Sequence, residues 1–390
     1  MRVAIVTDFP HDPEDPCGGV QAVSVHLVRG LSNLDGLELH VVTEDAGRST
    51  PQESTWGRVR IHRLPRQGKH TLTNAIGPGR RQMACYLKKI APDVIHAHGV
   101  YGLMVQGMLV PRVFTIHGKI YRDTRVSEGR FRRLRSWVWK RLEMANWADQ
   151  PHVISISPYV REQITGIVKG TIHDIDNPIG ERCFHLDRHE ERGRIFSAAW
   201  ISPRKNTLML VKGFAKMLRT GVKAKLCLSG TGNKDYVQHV MDYIRREGLE
   251  DSVELLGRVS YEVVQQERCR AAVFALVSLE ETSPMAIEEA MAAGVPVVAS
   301  NRCGMPYLVR DGESGFLVNP NDPDDLAHRL EQLLMNDGLR RSMGAKGREI
   351  ALDRFHPAKV AARTREVYLR ALGDARKQTA RSPDQCVKGR

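Results

Sequence analysis

The sequence predicts an α/β protein built from two doubly wound parallel-sheet domains. The chain has 390 residues, and one domain usually takes ~100–200 residues. Short apolar runs rich in Val and Ile alternate with amphipathic segments of helix length, a pattern typical of parallel strands that are buried on both faces beneath helices. The series occurs twice, once before and once after Asn177 and Pro178. Two sheets, each covered by helices on both faces, are therefore expected.

The predicted strands and domains follow one another in a regular order. The first series covers residues 3–6, 39–42, 93–98, 113–117 and 152–157, and the second consists of RIFSAAW, KLCLSG, VELLG, VFALVS and PVVAS. We expect domains over residues 1–180 and 181–355. A C-terminal helix over residues 356–375 is expected to pack back on the first domain. Residues 376–390 have almost no hydrophobic side chains and are expected to form a disordered tail.

The composition is that of an ordinary globular protein. Hydrophobic residues make up 42% and charged residues 26% of the sequence, which argues against disorder and collagen-like repeats. No stretch approaches the ~20 apolar residues of a membrane span, and the apolar N-terminal run is too short for a signal peptide. The seven cysteines form no CxxC pair, and their number is odd. A reducing cytoplasm is therefore expected rather than a disulfide framework.

An excess of basic residues is the one unusual bulk property. The sequence has 58 Lys and Arg against 45 Asp and Glu, a net charge of +13. This excess favours a polyanionic partner such as nucleic acid, an acidic membrane or a phosphorylated substrate. Aromatic residues are only 6% of the chain and form no stacking run or recognisable nucleic-acid motif. Nucleic acid is therefore not an expected partner.

Much of this excess lies in residues 119–141, which hold nine basic and two acidic residues. The spacing predicts a helix with an apolar stripe formed by Phe131, Leu134, Val138, Leu142 and Ala145. Such a helix suits an anionic membrane leaflet, and an ordinary surface helix docked on the first sheet is the alternative. The membrane interpretation predicts a cytoplasmic protein that attaches peripherally to the inner face of the membrane.

Residues that follow the strands are the first candidates for binding, because ligands of open parallel sheets lie beyond the carboxyl ends of the strands. Gly18 and Gly19 stand just before a predicted helix, where amides and the helix dipole favour a phosphate; a tight turn is the alternative. Gly230 lies in a similar close turn. Arg204 and Lys205 precede another helix, where two cations are unfavourable unless an anion compensates them. A solvated charge pair is the alternative there.

Three histidines end neighbouring predicted strands. His96 and His98 stand two residues apart at the end of one strand, and His117 ends the next. A zinc site needs a complete ligand set, which the spacing of Cys, Asp and Glu does not supply, so no metal is expected. Gly118 would let a substrate approach the imidazole of His117. We therefore consider His117 a site residue, with a core histidine as the alternative.

The segment VSLEETSPMAIEEAMAAGVPVVAS carries the most specific pattern. It reads as a strand, a loop, a helix and a second strand. Ser283 is the predicted N-cap of the helix, and Pro284 suits its first position. The amides of Met285 and Ala286 would then point out of the helix N-terminus as an anion site.

Two carboxylates flank this helix start. Glu281 lies in the loop and Glu289 lies two turns into the helix, eight residues further on. A carboxylate beside a phosphate site is unfavourable unless it accepts hydrogen bonds, and the hydroxyls of a sugar or a ribose can donate them. Glu288 is one residue out of this register and is expected on a solvated helix face.

At these residues the sequence resembles the retaining nucleotide-sugar glycosyltransferases of family 4, over roughly residues 1–370. The resemblance rests on Glu281-x7-Glu289 followed by AMAAGVPVVA, and on GGV, DVIHAHG, TIHG, DNP and GESGFLV in the same order. It implies the GT-B fold, with two Rossmann-like doubly wound domains facing each other across a cleft. It also implies that the first glycines face the donor diphosphate, that Glu281 contacts the sugar, that Glu289 holds the ribose and that His117 lines the catalytic centre.

The resemblance further implies a transfer of a hexosyl or N-acetylhexosaminyl group from a UDP- or GDP-linked sugar, with no cofactor. The expected acceptor is lipid-linked or another cell-envelope or polysaccharide glycan. The expected catalytic residues are His117 and Glu281, and the expected donor-binding residues are Gly18, Gly19, Arg204, Lys205, Gly230, Val259, Ser283, Met285, Ala286 and Glu289. A nucleotide-sugar epimerase or hydrolase on the same scaffold is the alternative.

Two departures from the family pattern concern the donor site. The family usually has Gly-Arg and then Lys-Gly in the diphosphate loop, whereas this chain has Ala199 and Trp200, and Asn206 follows Lys205. Arg204 could supply the missing charge. The sequence ETSP also replaces a frequent Glu-Gly-Phe-Gly, which leaves the identity of the sugar open.

Overall fold

A computed structural model describes residues 1–122 and 131–381. The chain forms two compact units. The first unit contains residues 1–178 and the chain from Pro357 onward, and the second unit is Ile179–His356. Each unit has one sheet with a separate hydrophobic cluster on either side. The α/β class predicted from the apolar runs is confirmed.

The first sheet has eight strands in the order β3-β4-β2-β1-β5-β6-β7-β8. They are β1 Arg2–Val6, β2 Glu38–Asp45, β3 Gln52–Trp56, β4 Val59–Pro65, β5 Val94–His98, β6 Arg112–Ile116, β7 His152–Ser155 and β8 Thr171–Asp174. Among the strands of the described residues, only β3 pairs in the antiparallel sense, with β4. The five predicted strands are present, and β3, β4 and β8 are additional. The sequence did not indicate β3 because this edge strand, QESTW, is exposed and polar.

Helices cover both faces of this sheet. They are α1 Gly19–Ser32, α2 Thr71–Ile76, α3 Pro78–Ile90, α4 Tyr101–Val105, α5 Arg132–Asp149 and α6 Pro158–Ile164. Because β1 lies between β2 and β5, the chain changes direction across the sheet at β1. The loops after β1 and β5 therefore stand on either side of the switch point where such sheets bind ligands.

The second sheet has six parallel strands in the order β11-β10-β9-β12-β13-β14. They are β9 Arg194–Ala198, β10 Lys225–Ser229, β11 Val253–Gly257, β12 Val273–Leu276, β13 Val297–Ser300 and β14 Gly315–Val318. The helices are α7 Thr207–Leu218, α8 Lys234–Arg246, α9 Tyr261–Arg270, α10 Met285–Ala292, α11 Pro323–Met335 and α12 Asp337–Arg354. This is the strand order of a Rossmann sheet, whose switch point lies between β9 and β12.

The last helix, α13 Pro357–Arg381, packs on α1 of the first unit. Gly30 on α1 permits the close approach, because a Cβ there would lie 2.7 Å from the carbonyl oxygen of Pro357. The helix continues past residue 375, so the predicted start of a disordered tail at 376 is wrong. The remainder of that predicted tail, residues 382–390, lies outside the described residues.

The described part of the basic segment leads into α5, which has one buried face and an apolar stripe that is partly exposed. Residues 123–130 of the segment lie outside the described residues. Within α5 the buried residues are Ser136, Trp139, Glu143, Asn146 and Trp147. In the predicted apolar stripe, Phe131 is 73% and Leu134 59% exposed. Val138 and Leu142 of the same stripe are half-buried. Glu143 turns inward and accepts hydrogen bonds from the backbone amides of Ile120 and Tyr121. The apolar stripe is therefore partly exposed.

No helix in residues 1–122 or 131–381 is long and apolar enough to cross a membrane. The six cysteines in these ranges carry free thiols.

Several buried histidines of the first unit bind protons weakly. Burial lowers the pKa of His26, His117 and His173 to about 4, and that of His96 to about 3, from 6.5. The unfolded chain therefore takes up more protons than the folded one as pH falls below 6.5. The corresponding stability is fully present above pH 6.5 and is lost as pH falls toward these folded-state pKa values.

We expect the free energy of unfolding of the first unit to fall by several kcal/mol between pH 7 and pH 4.5. Urea unfolding followed by the fluorescence of the buried Trp139 and Trp147 measures it. The variant His26→Gln should reduce the pH dependence. Equal stability at both pH values would show that these histidines are not neutral in the folded state.

Candidate active site

The helix α10 begins one residue later than the sequence predicts. Pro284 is its N-cap residue rather than its first helical residue, and no side chain caps the helix. Ser283 instead donates a hydrogen bond from its hydroxyl to the carboxylate of Glu288. The predicted capping role of Ser283 is therefore wrong, because a buried carboxylate competes for the hydroxyl.

Glu288 was expected on a solvated face and is 0% exposed, so that prediction is wrong. The reason is the setting of α10, which is buried from Ile287 to Ala292 between the sheet and α12. The sequence pattern of an amphipathic helix does not apply to a helix that is covered on nearly all sides.

The N-terminus of α10 has two backbone amides without an acceptor inside the helix. The amides of Ile287 and Glu288 donate to the carbonyl oxygen of Pro284. Those of Met285 and Ala286 come before the first intrahelical hydrogen bonds and have no acceptor within the helix. Both residues are half-buried. This helix start can therefore donate to an anion, as the sequence predicts.

Arg204, Lys205 and Glu281 meet beside this helix start. The Nζ atom of Lys205 lies 2.5 Å from Oε1 of Glu281, and Nη1 of Arg204 lies 3.4 Å from the same oxygen. Arg204 also donates to the carbonyl oxygen of Glu280 at 2.8 Å. The cluster forms because β9 and β12 are neighbours, so the loops that follow them leave the sheet side by side. Glu281 is 9% exposed.

Asn206 holds the loop of the two cations in place. Its φ of 59° is left-handed, a conformation that favours glycine and is tolerated by asparagine. Its side-chain amide donates to the carbonyl oxygens of Val277, at 3.2 Å, and Pro320, at 2.7 Å. Asparagine can therefore take the place of the glycine of the family pattern, and it ties the loop to the chain segments that follow β12 and β14.

Glu289 has a separate partner that the sequence did not indicate. Its Oε2 atom lies 2.5 Å from Nη2 of Arg268, which is 0% exposed. Tyr261 donates to Oε1 at 3.4 Å, and Arg268 donates to Gln265 at 2.6 Å. Burial acts to lower the pKa of Arg268, but the charge of Glu289 outweighs it and the pKa is raised. The spacing of Tyr261, Gln265 and Arg268 on one face of α9 is the signal that could have revealed this group.

Two further residues of the second unit that the sequence predicts to bind the donor, Gly230 and Val259, lie on loops that follow neighbouring strands. Gly230 follows β10 with φ of 136°, and a Cβ there would lie 2.0 Å from the carbonyl oxygen of Ala199. Packing between two loops therefore accounts for this glycine. Val259 is half-buried in the loop after β11.

Gly18 and Gly19 begin α1 in open space. Gly18 is the N-cap residue with φ of 100°, which explains the need for glycine there. No atom lies within 4 Å of a Cβ built on either residue. The backbone at this helix start is therefore accessible, as a phosphate site requires.

The histidines of β5 and the histidine that follows β6 differ in their hydrogen-bond partners. Both ring nitrogens of His96 are hydrogen-bonded, to Tyr368 and Thr115, each at 2.7 Å. Nδ1 of His98 lies 2.8 Å from Nε2 of the half-buried His117. Within residues 1–122 and 131–381, no three His, Cys, Asp or Glu side chains are grouped to hold a metal ion.

Two family models match the chain, one on each unit. Residues 17–179 match the model described as Glycosyltransferase Family 4, and residues 183–350 match Glycosyl transferases group 1. The chain therefore contains a family 4-like and a group 1 glycosyltransferase domain, which together define a glycosyltransferase of the GT-B class.

Relatives of known sequence agree with this class. An uncharacterized glycosyltransferase of Methanocaldococcus jannaschii is 23% identical over 359 residues, which are 90% of this chain and 94% of that protein. The N-acetyl-alpha-D-glucosaminyl L-malate synthase of Bacillus anthracis is 30% identical over 165 residues, 42% of each chain. The match thus spans less than half of the second relative.

Solved structures share the fold. The sucrose-phosphate synthase of Thermosynechococcus elongatus has a TM-score of 0.78 at 20% identity, over 96% of this chain and 99% of that one. HepE of Anabaena, in complex with UDP, has a TM-score of 0.71 at 18% identity, over 94% and 99%. The prediction of two Rossmann-like parallel-sheet domains of the GT-B type is confirmed.

The contact between Arg268 and Glu289 gives a prediction for stability. Arg268→Met should lower the free energy of unfolding by about 3–5 kcal/mol, because it leaves a buried carboxylate without its cation. Adding Glu289→Gln should restore much of the loss. Urea denaturation measures both.

The matched control is Arg270→Met, on the same helix but partly exposed, which should cost about 1 kcal/mol or less. Equal losses for Arg268→Met alone and for the double variant would mean that the arginine acts by packing rather than by charge.

Proposed function

We propose that the chain is a retaining glycosyltransferase that moves a hexosyl or N-acetylhexosaminyl group from a UDP- or GDP-linked sugar to a lipid-linked or other cell-envelope acceptor. The observation that carries the proposal is the contact of Arg204 and Lys205 with Glu281 next to the open start of α10. Cations, a carboxylate and free amides in one place suit a ligand that bears both a diphosphate and hydroxyls.

The cations and the helix start act on the leaving group. Breaking the anomeric C–O bond puts negative charge on the departing diphosphate. Lys205, Arg204 and the amides of Met285 and Ala286 stabilise this charge, which is usually the largest catalytic effect. These fixed charges do the work that a metal ion does in other transferases, so the reaction proceeds without one.

The two carboxylates have different roles. Glu281 accepts hydrogen bonds from sugar hydroxyls, and Lys205 contacts the same carboxylate. Glu289 accepts from the ribose hydroxyls, and the buried Arg268 holds its carboxylate in place. Glu289 therefore contributes mainly to nucleotide binding, and Glu281 mainly to turnover.

Retention requires no nucleophile from the protein. The acceptor hydroxyl enters on the face from which the phosphate departs, and its proton passes to the departing phosphate oxygen. His117 is neutral at pH 7, because burial lowers its pKa to about 4. A neutral imidazole binds and orients the sugar and does not attack it.

Nucleotide binding tests the proposal. A panel of nucleoside diphosphates should raise the melting temperature only for the base that the enzyme uses, because a ligand bound by the native state alone stabilises it. By calorimetry, Glu289→Gln should weaken that nucleotide about tenfold, roughly the contribution of one charged hydrogen bond. Glu281→Gln should bind it like wild type and turn over more slowly. Excess EDTA should leave the affinity unchanged.

The control is Glu349→Gln, which removes a similar charge from an exposed ion pair with Lys346. No stabilisation by any nucleoside diphosphate would overturn the donor proposal. Normal binding by Glu289→Gln would overturn the ribose assignment alone.

We also propose that α5 contacts an anionic membrane surface. Phe131 and Leu134 are exposed, and Trp137 is 56% exposed. Arg132, Arg133 and Arg135 are exposed beside them. Apolar side chains flanked by arginines suit the boundary between headgroups and acyl chains. Such a contact would bring the enzyme to a lipid-linked acceptor.

Replacing Arg132, Arg133 and Arg135 together by Gln should weaken binding to phosphatidylglycerol vesicles. At ~1 kcal/mol for each cation near the surface, the loss is about hundredfold. Sedimentation at low salt measures it. The control removes three exposed arginines of the second unit, Arg245, Arg246 and Arg310. Wild-type protein that stays in the supernatant would show that α5 is an ordinary surface helix.

A further inference from the structure

Glu289 is held by two routes of contacts that both start at Arg268. The first is the direct ion pair, in which Nη2 of Arg268 lies 2.5 Å from Oε2 of Glu289. The second passes through the side chains of Gln265, Cys183 and Tyr261 and ends on the other oxygen, Oε1. Tyr261 is half-buried and the other four residues are buried. The five side chains therefore form a closed ring of contacts within the second unit.

The chemistry of the side chains fixes the direction of the first hydrogen bonds in the second route. A guanidinium has only donors, so Nη1 of Arg268 donates to Oε1 of Gln265, at 2.6 Å. The amide oxygen of Gln265 is thus taken by Arg268, and its amide nitrogen donates to Sγ of Cys183 at 3.4 Å. The orientation of the Gln265 amide therefore follows from its charged neighbour.

Tyr261 stands between Cys183 and Glu289. Its hydroxyl oxygen lies 3.4 Å from Sγ of Cys183 and 3.4 Å from Oε1 of Glu289. A carboxylate is a stronger acceptor than a thiol sulfur, so the phenol donates to Glu289 and the thiol of Cys183 donates to the phenol. Burial and the charge of Glu289 raise the pKa of Tyr261, so the phenol keeps its proton at neutral pH.

The two oxygens of Glu289 are unequally occupied. Oε2 has a short contact with the charged Arg268. The contact of Oε1 with Tyr261, at 3.4 Å, is longer than the ~2.5–3.0 Å of an ordinary O–H···O hydrogen bond. Oε1 therefore has more capacity left to accept a further hydroxyl. Contacts on both oxygens also restrain the plane of the carboxylate more than a contact on one oxygen does.

We propose that Tyr261 is a positioning residue for the nucleotide: Arg268 holds Oε2 of Glu289, and Tyr261 holds Oε1 where it accepts a hydrogen bond from a ribose hydroxyl. This inference rests on the proposed function, in which Glu289 binds the ribose. It adds which oxygen takes the hydroxyl and which side chain orients that oxygen. The consequence is selectivity for ribose, because a nucleotide without ribose hydroxyls cannot donate to Oε1.

The contribution of the ribose hydroxyls is measured as a ratio of two affinities. Calorimetry on the full chain compares UDP with 2′,3′-dideoxy-UDP, or GDP with its dideoxy form, according to the base that stabilises the protein. In wild type the ribose form should bind about tenfold more tightly, the scale of a hydrogen bond to a charged group. Tyr261→Phe keeps the ring and removes the hydroxyl. It should lower this ratio by about fivefold, while the dideoxy form binds as in wild type.

A double-mutant cycle separates positioning from direct contact with the ribose. In Glu289→Gln, Arg268 takes the amide oxygen and leaves Tyr261 no acceptor, so adding Tyr261→Phe should not change the ratio further. A further loss in the double variant would show that Tyr261 contacts the ribose itself and would overturn the positioning role. The matched control is Tyr243→Phe, at a half-buried tyrosine of α8, which should leave the ratio unchanged.

The inference and the proposed function fail in different ways. An equal ratio in wild type and in Tyr261→Phe, or a higher ratio in the variant, would overturn the inference and leave the donor proposal intact. A wild-type chain that binds no nucleoside diphosphate would overturn the proposed function and the inference with it.

Discussion

The structure of the second unit depends on three carboxylates that are buried around the start of α10. Glu281, Glu288 and Glu289 are all nearly or fully buried, and a buried carboxylate is unstable unless a cation or hydrogen-bond donors surround it. Each has its own partner: Lys205, Ser283 and Arg268 respectively. The positions of the β9 loop and of α9 follow from this requirement, because both must deliver a side chain to α10 or to the loop before it.

Part of the buried polar network of the first unit consists of histidines that hydrogen-bond to one another. Histidines on adjacent parallel strands form hydrogen bonds across the sheet, and burial keeps those at β5 and β6 uncharged. A neutral ring can hold one proton in a defined place, which a solvated imidazole exchanging between two forms cannot. The histidine pairs of the first unit, which are hydrogen bonds between neutral rings, thus contrast with the ion pairs around α10 in the second unit.

The sequence predicted the parts of the molecule in which burial alone decides the structure. Continuous apolar runs identified the central strands, and the loop cations and Glu281 were recognised as candidates because ligands of parallel sheets lie beyond the strand ends. It could not predict β3, whose residues are polar and exposed. It also failed where a polar side chain turns inward. Glu288 takes the hydroxyl of Ser283 that was predicted to cap α10, and the burial of Arg268 depends on its ion pair with Glu289. Such pairings join distant positions, and a local pattern does not contain them.

The central claim is that Lys205 and the start of α10 bind the diphosphate of the donor. Calorimetry with UDP against UMP, and with GDP against GMP, measures the contribution of the second phosphate directly. In wild type the diphosphate of the preferred base should bind more tightly than the monophosphate. In Lys205→Met combined with Glu281→Gln, which removes the lysine together with the carboxylate that it contacts, this preference should become clearly smaller while the monophosphate binds as before. A full preference for the diphosphate in that double variant would contradict the account.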